Sequence, residues 1–107
     1  MARVIVTGPA KQDIEAAYGW WKEHRSAEQA DRWYKGIQTA VDSLRKMPER
    51  CPMALERDLL SQGIRQLLFG LGRRATRRIV FAVDDDAVIV LRVRHASQDA
   101  LSADEIG

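Results

Sequence analysis

The sequence predicts an α+β domain: an N-terminal strand, a two-helix hairpin and a three-stranded antiparallel meander, with the helices on one face of the sheet. Three observations predict it. Apolar residues recur at spacings of three and four from Ala10 to Met47, the period of a helix. From Gly63 onward the pattern changes to that of extended chain, with alternating faces. The 107 residues, 46% apolar and 30% charged, suffice for one core and are too few for two, so residues 1–107 read as a single domain.

Arg3-Val-Ile-Val-Thr7 is β-branched and stopped by Gly8-Pro9, the profile of a first strand. Pro9 suits the first turn of a helix, and Ala10, Ile14, Ala17, Tyr18 and Trp21 share one of its faces up to an end near His24. Ser26-Ala-Glu-Gln29 fits a capping box and opens a second helix. Its apolar stripe is Ala30, Trp33, Tyr34, Ile37, Ala40, Val41, Leu44 and Met47, stopped by Pro48. Residues 48–62 carry Pro48 and Pro52 without periodicity and read as a connecting loop. Strands follow at Ile64–Phe69, Arg77–Asp84 and Ala87–His95. Asp84-Asp85-Asp86 turns the last hairpin, because Asp tolerates the left-handed conformation a tight turn needs. The polar stretch after Ser97 has room for one turn of helix.

The longest apolar runs, Ile79–Val83 and Ala87–Leu91, are five residues each, far short of a membrane span. The N-terminus lacks the apolar stretch of a signal peptide, so a cytoplasmic protein without a membrane partner is expected. Cys51 is the one cysteine, and with His24 and His95 it gives no zinc-type spacing. Adjacent carboxylates in the Asp84–Asp86 turn diverge, so no metal, cofactor or small-molecule substrate is expected. The net charge is only +2, but its distribution is uneven. Residues 1–60 hold ten Lys/Arg and nine Asp/Glu, whereas residues 64–83 hold Arg65, Arg73, Arg74, Arg77 and Arg78 and no acid. A local basic surface suits an anionic partner, nucleic acid or acidic protein.

Strict alternation puts Ile79, Phe81 and Val83 on one sheet face with Ile89, Leu91 and Val93, the face that meets the helices. The opposite face then carries Arg78, Val80, Ala82, Val88, Val90, Arg92 and Arg94. A sheet with helices on one side normally leaves a polar face to water. Four apolar residues here call for a cover, and the polar tail after His95 is short for that task. The inferred cover is an apolar segment of a partner, flanked by acids that pair with the arginines; the alternative is a patch of small side chains without consequence. Trp33 and Trp21 are expected in the core. Trp20, about 100° from the centre of its helix's apolar face, is the aromatic candidate for an interface. Arg73, Arg74 and Arg77 read as a solvated turn or a binding site.

Asp13-Ile14, Leu44-x-x-Met-Pro48, Gly63-Ile-Arg65-x-Leu67, Gly70, Arg78-Ile-Val-Phe81, Val83-Asp-Asp85 and Val88-Ile-Val-Leu-Arg-Val-x-His95, in this order over about residues 3–99, resemble the RelE/ParE superfamily of type II toxin–antitoxin toxins. The resemblance implies a small sheet with a helical hairpin on one face and a cognate antitoxin that wraps the toxin. Arg78, Val80, Ala82, Val88, Val90, Arg92 and Arg94 are the expected antitoxin-binding residues.

The superfamily holds two activities. In the ribosome-dependent messenger-RNA endoribonuclease branch, basic residues hold the scissile phosphate while a titratable group moves the 2′-hydroxyl proton. The candidate catalytic residues for that role are Arg65, Arg78, Arg92 and His95. The two tyrosines, Tyr18 and Tyr34, lie on helix core faces, no Tyr follows His95, and +2 is a low charge for a ribosome partner. The Gly-x-Arg and Arg-Val-x-His pieces are similar to the ParE-like, plasmid-stabilising branch, whose members bind and inhibit DNA gyrase without catalysis of their own. Gyrase is therefore the expected target, with ribosome and message as the alternative.

Overall fold

The computed structural model describes residues 2–72, 74–98 and 100–106. Their order is β1 (Arg3–Val6), α1 (Gly8–His24), α2 (Ala27–Asp42), β2 (Arg65–Phe69), β3 (Arg77–Asp84), β4 (Ala87–His95) and a closing turn, α3 (Ala103–Ile106). Local chemistry sets the boundaries. The Thr7 hydroxyl accepts from the Ala10 amide at the start of α1, and the Ser26 hydroxyl accepts from the Gln29 amide at the start of α2. Asp85 takes the left-handed conformation, with φ of 59°, in the β3–β4 hairpin. Gly70 has a steric reason as well, since a Cβ there would run into the Arg74 carbonyl where the β2–β3 loop crosses back.

The sheet order is β1-β4-β3-β2, with β1 parallel to β4 and the other pairs antiparallel. The sheet is therefore mixed, with a three-stranded meander extended by the first strand. Trp33, Ile37 and Val41 of α2, with Ala10 and Ala17 of α1, pack on one sheet face and form the main core. Met47 departs from the predicted stripe. It is left-handed, with φ of 47°, and 75% exposed, because the residue before a proline is pushed out of the helical region and the stripe ends at buried Leu44. Trp21 lies only partly buried at the margin of this core.

Alternation fails at one residue, and the faces change in consequence. Val80 pairs with Arg92 and Phe81 with Val90, so Leu91 is an extra residue in β4, a β-bulge. Past the bulge the strand's phase reverses. Val88 and Val90, predicted on the outer face, are buried on the helix side with Ile79, Phe81 and Val93, while Leu91 points to the other side and packs beside Val80. Two residues beyond Leu91, the Val93 amide donates to the Asp13 side chain of α1, at 2.9 Å to Oδ2.

The outer face is not open either. Val80 and Ala82 are buried, and Val80 lies under Ala54, Ile64 and Leu101, with Leu60 and Ile106 at the margin. The cover comes from the chain itself. The loop between α2 and β2, pinned by the Ala54 amide to the Ile64 carbonyl at 2.8 Å, supplies one half, and residues 100–106 supply the other. A short tail suffices because Leu101 shares the cover of Val80 with Ala54 and Ile64. Arg73 of the predicted arginine-rich turn lies outside the described residues.

Candidate functional site

The outer face keeps its predicted arginine edge, but each arginine is already paired. Arg78, between Leu68 of β2 and Arg94 of β4, sends two guanidinium nitrogens to Glu56, at 3.0 and 2.8 Å, and Nη1 also donates to Gln66 Oε1 at 3.0 Å. Both side chains are enclosed, Arg78 5% and Glu56 0% exposed. Burial pushes the Glu56 carboxyl up, but Arg78 and the Leu101 amide, which donates to Oε2 at 2.6 Å, more than reverse this and hold it below its usual range. Arg92 grips Asp13 with two nitrogens at 2.7 and 2.9 Å, which raises the guanidinium further, and donates through Nη1 to the Glu105 carbonyl at 3.3 Å. Arg94 Nη1 donates to Glu105 Oε2 at 2.7 Å. Glu105 is drawn down to about 2, first by the Ser102 backbone amide and then by Arg94.

Glu56, Asp13 and Glu105 thus answer arginines that the sequence reading assigned to a partner. The sequence signal for the last was present in the composition of the tail: Leu101-Ser-Ala-Asp-Glu-Ile106 is itself an apolar segment flanked by acids. Of the seven residues expected to meet an antitoxin, Arg78, Val80, Ala82, Arg92 and Arg94 share the outer side, while Val88 and Val90 lie beneath the helices.

The four candidate catalytic residues do not meet. Arg65 donates through Nη1 to the Glu49 and Cys51 carbonyls, at 3.2 and 2.7 Å, and so ties β2 to the loop. Arg78 is enclosed, and Arg92 is held on α1. His95 alone is exposed, at the far end of β4 opposite Arg77. Its Nδ1 accepts the Ser97 backbone amide at 3.2 Å and lies 2.7 Å from the Ser97 hydroxyl, so that nitrogen is engaged within its own turn. His95 lines a cleft of about 390 Å³ with Trp20, Trp21, Arg25, Thr76 and Arg77, and Arg65, Arg78 and Arg92 do not line it. Trp20, 43% exposed, stacks on His24 at 4.9 Å and lies under the Arg25 guanidinium at 5.6 Å.

A second depression, of about 360 Å³, runs between edge strand β1 and the helical hairpin, lined mainly by Val4, Val6, Ile14, Tyr34 and Val41 with Lys11 and Glu15 at its rim. Ile5, on the other side of β1, is 44% exposed. Among the described residues no helix is long and apolar enough to cross a membrane.

This architecture has relatives. A solved chain from the chromosomal ParDE TA system of P. aeruginosa is similar over 89% of this chain and 96% of its own, with a TM-score of 0.70 and 19% identity, a likeness of fold. No curated protein matches in sequence. The family model described as the ParE toxin of the type II toxin–antitoxin system parDE matches residues 4–100. The chain belongs to the ParE toxin family of type II toxin–antitoxin systems.

Proposed function

We propose that this chain is the toxin of a toxin–antitoxin pair, neutralised by a cognate antitoxin, and that it acts by binding and inhibiting DNA gyrase rather than by cutting message. Family membership supports the toxin role. The choice of binding over cleavage rests on one observation: the groups a nuclease would need are separated and occupied. A phosphodiester cleavage site needs a cation on the phosphate and a titratable group within hydrogen-bond reach of the 2′-hydroxyl. Here Arg78 is neutralised by Glu56, Arg92 by Asp13, and His95 Nδ1 is engaged by Ser97, away from both arginines. A protein that works by occupying a target needs no such convergence. It needs exposed anchors, and Trp20 is one of them.

The test uses purified protein in two assays. Inhibition of gyrase supercoiling with ribosome-bound message left intact is the expected result. Message cleavage that disappears in His95→Gln would replace this reading with the endoribonuclease one.

A further inference from the structure

The cleft beside His95 differs from the arginine edge of the outer face in one respect. Arg78, Arg92 and Arg94 each hold a carboxylate, whereas the residues that line this cleft include none. Arg77 bears the consequence. It precedes Arg78 in β3, so alternation turns it to the helix side, where it meets Trp20 and Trp21 of α1. Among the described residues no carboxylate pairs with its guanidinium. Burial lowers that guanidinium from its ordinary value; Asp13 pulls the other way, but its oxygens already accept from Arg92 and the Val93 amide. An anion entering the cleft stabilises such a partly buried cation.

The walls select among anions. Trp20 and Trp21 meet at 89° with ring centroids 5.7 Å apart, so their indoles form a corner, the face of one beside the edge of the other. Trp20 is 43% exposed and already carries planar groups, the His24 ring at 4.9 Å and the Arg25 guanidinium at 5.6 Å, both on exposed side chains. A flat ring is the shape these walls accept. A peptide carboxylate answers Arg77 and leaves the indoles without a stacking partner, whereas a phosphate joined to a nucleobase answers both. The cleft, about 390 Å³, falls in the range of small-molecule sites.

We propose that this cleft binds a nucleotide unit, its base in the corner between Trp20 and Trp21 and its phosphate on Arg77 and Arg25. A free nucleoside phosphate and one unit of a single strand share this chemistry. The site stands apart from the gyrase reading, which uses Trp20 only as an exposed anchor.

The experiment titrates the full chain with adenosine 5′-monophosphate, a short oligodeoxyadenylate, adenosine, inorganic phosphate and an oligoglutamate peptide. Affinity is read by calorimetry and location by the NMR signals of the three indole N–H groups. Expected is binding of the nucleotide and the oligomer that moves the Trp20 and Trp21 signals and leaves that of enclosed Trp33 still, with adenosine and phosphate each at least tenfold weaker. Equal affinity of monophosphate and oligomer assigns the site to free nucleotides; a much tighter oligomer assigns it to single strands. Trp20→Ala should weaken binding about five- to 150-fold. Arg77→Gln should weaken it roughly tenfold or more, with Arg77→Lys recovering part of the loss, which separates a lost charge from a lost fold. Absence of nucleotide binding, or binding that both Trp20→Ala and Arg77→Gln leave unchanged, overturns the proposal. Indole shifts produced by oligoglutamate and not by the nucleotides overturn it too, and name an acidic peptide as the occupant.

Discussion

Trp33 is fully enclosed, and among the described residues its indole Nε1 has no hydrogen-bond partner. A buried unpaired donor costs about 1–3 kcal/mol, which offsets the volume lost when the ring is made smaller. Trp33→Phe is therefore expected to leave stability within about 1.5 kcal/mol of wild type, whereas Trp33→Ala costs about 3–5 kcal/mol, as read from the urea midpoint. Glu105 supplies a second prediction at this scale. Its carboxyl is lowered from 4.5 to about 2, so the folded state is favoured at higher pH, and that contribution fades as pH falls from about 4.5 toward 2. An NMR titration should find its midpoint near 2 and see it rise in Arg94→Gln; a midpoint at the ordinary value would show both the Ser102 and the Arg94 contacts absent. Individual arginines were readable as a group but not by partner. Arg78 lies 22 positions from Glu56, and Arg92 lies 79 from Asp13, separations that no local pattern connects.

At the scale of elements, propensity and periodicity were enough for the strands and helices. β3 and β4 fall where alternation put them, and α2 starts at its predicted cap, Ser26, whereas the α1 cap is Thr7, read from the sequence as the end of the first strand. The bulge was not legible, because Leu91 is as good a strand residue as its neighbours; only the pairing to β3 shows it to be one too many. That single residue exchanged Val88 and Val90 with Leu91 between faces. Deleting Leu91 is expected to restore strict alternation toward the hairpin and turn those valines out of the core, giving a chain that fails to fold cooperatively in thermal unfolding. The loop-to-sheet ion pair gives a graded test. Glu56→Ala leaves Arg78 enclosed without its carboxylate and is expected to cost about 3–5 kcal/mol, while Glu56→Leu combined with Arg78→Met recovers most of that loss. Equal stability of single and double variants would show the pair to be unimportant.

At the scale of the whole molecule, the fold class was readable and the cover of the sheet was not. The sequence pattern requires something apolar and acidic on the outer face, and the molecule meets that need with its own loop and closing segment. Such a cover removes an open apolar face that would invite association. The loop holds Arg78 through Glu56 and α1 holds Arg92 through Asp13, and neither arginine lines the cleft at His95. The tail's half of the cover depends on the Leu101 contact, and hydrogen exchange at the Leu101 amide of the isolated chain measures it directly. The account predicts exchange well slowed relative to an unstructured peptide, with the slowing lost in Glu56→Gln/Arg78→Gln; exchange at the unstructured rate in the native chain would contradict it.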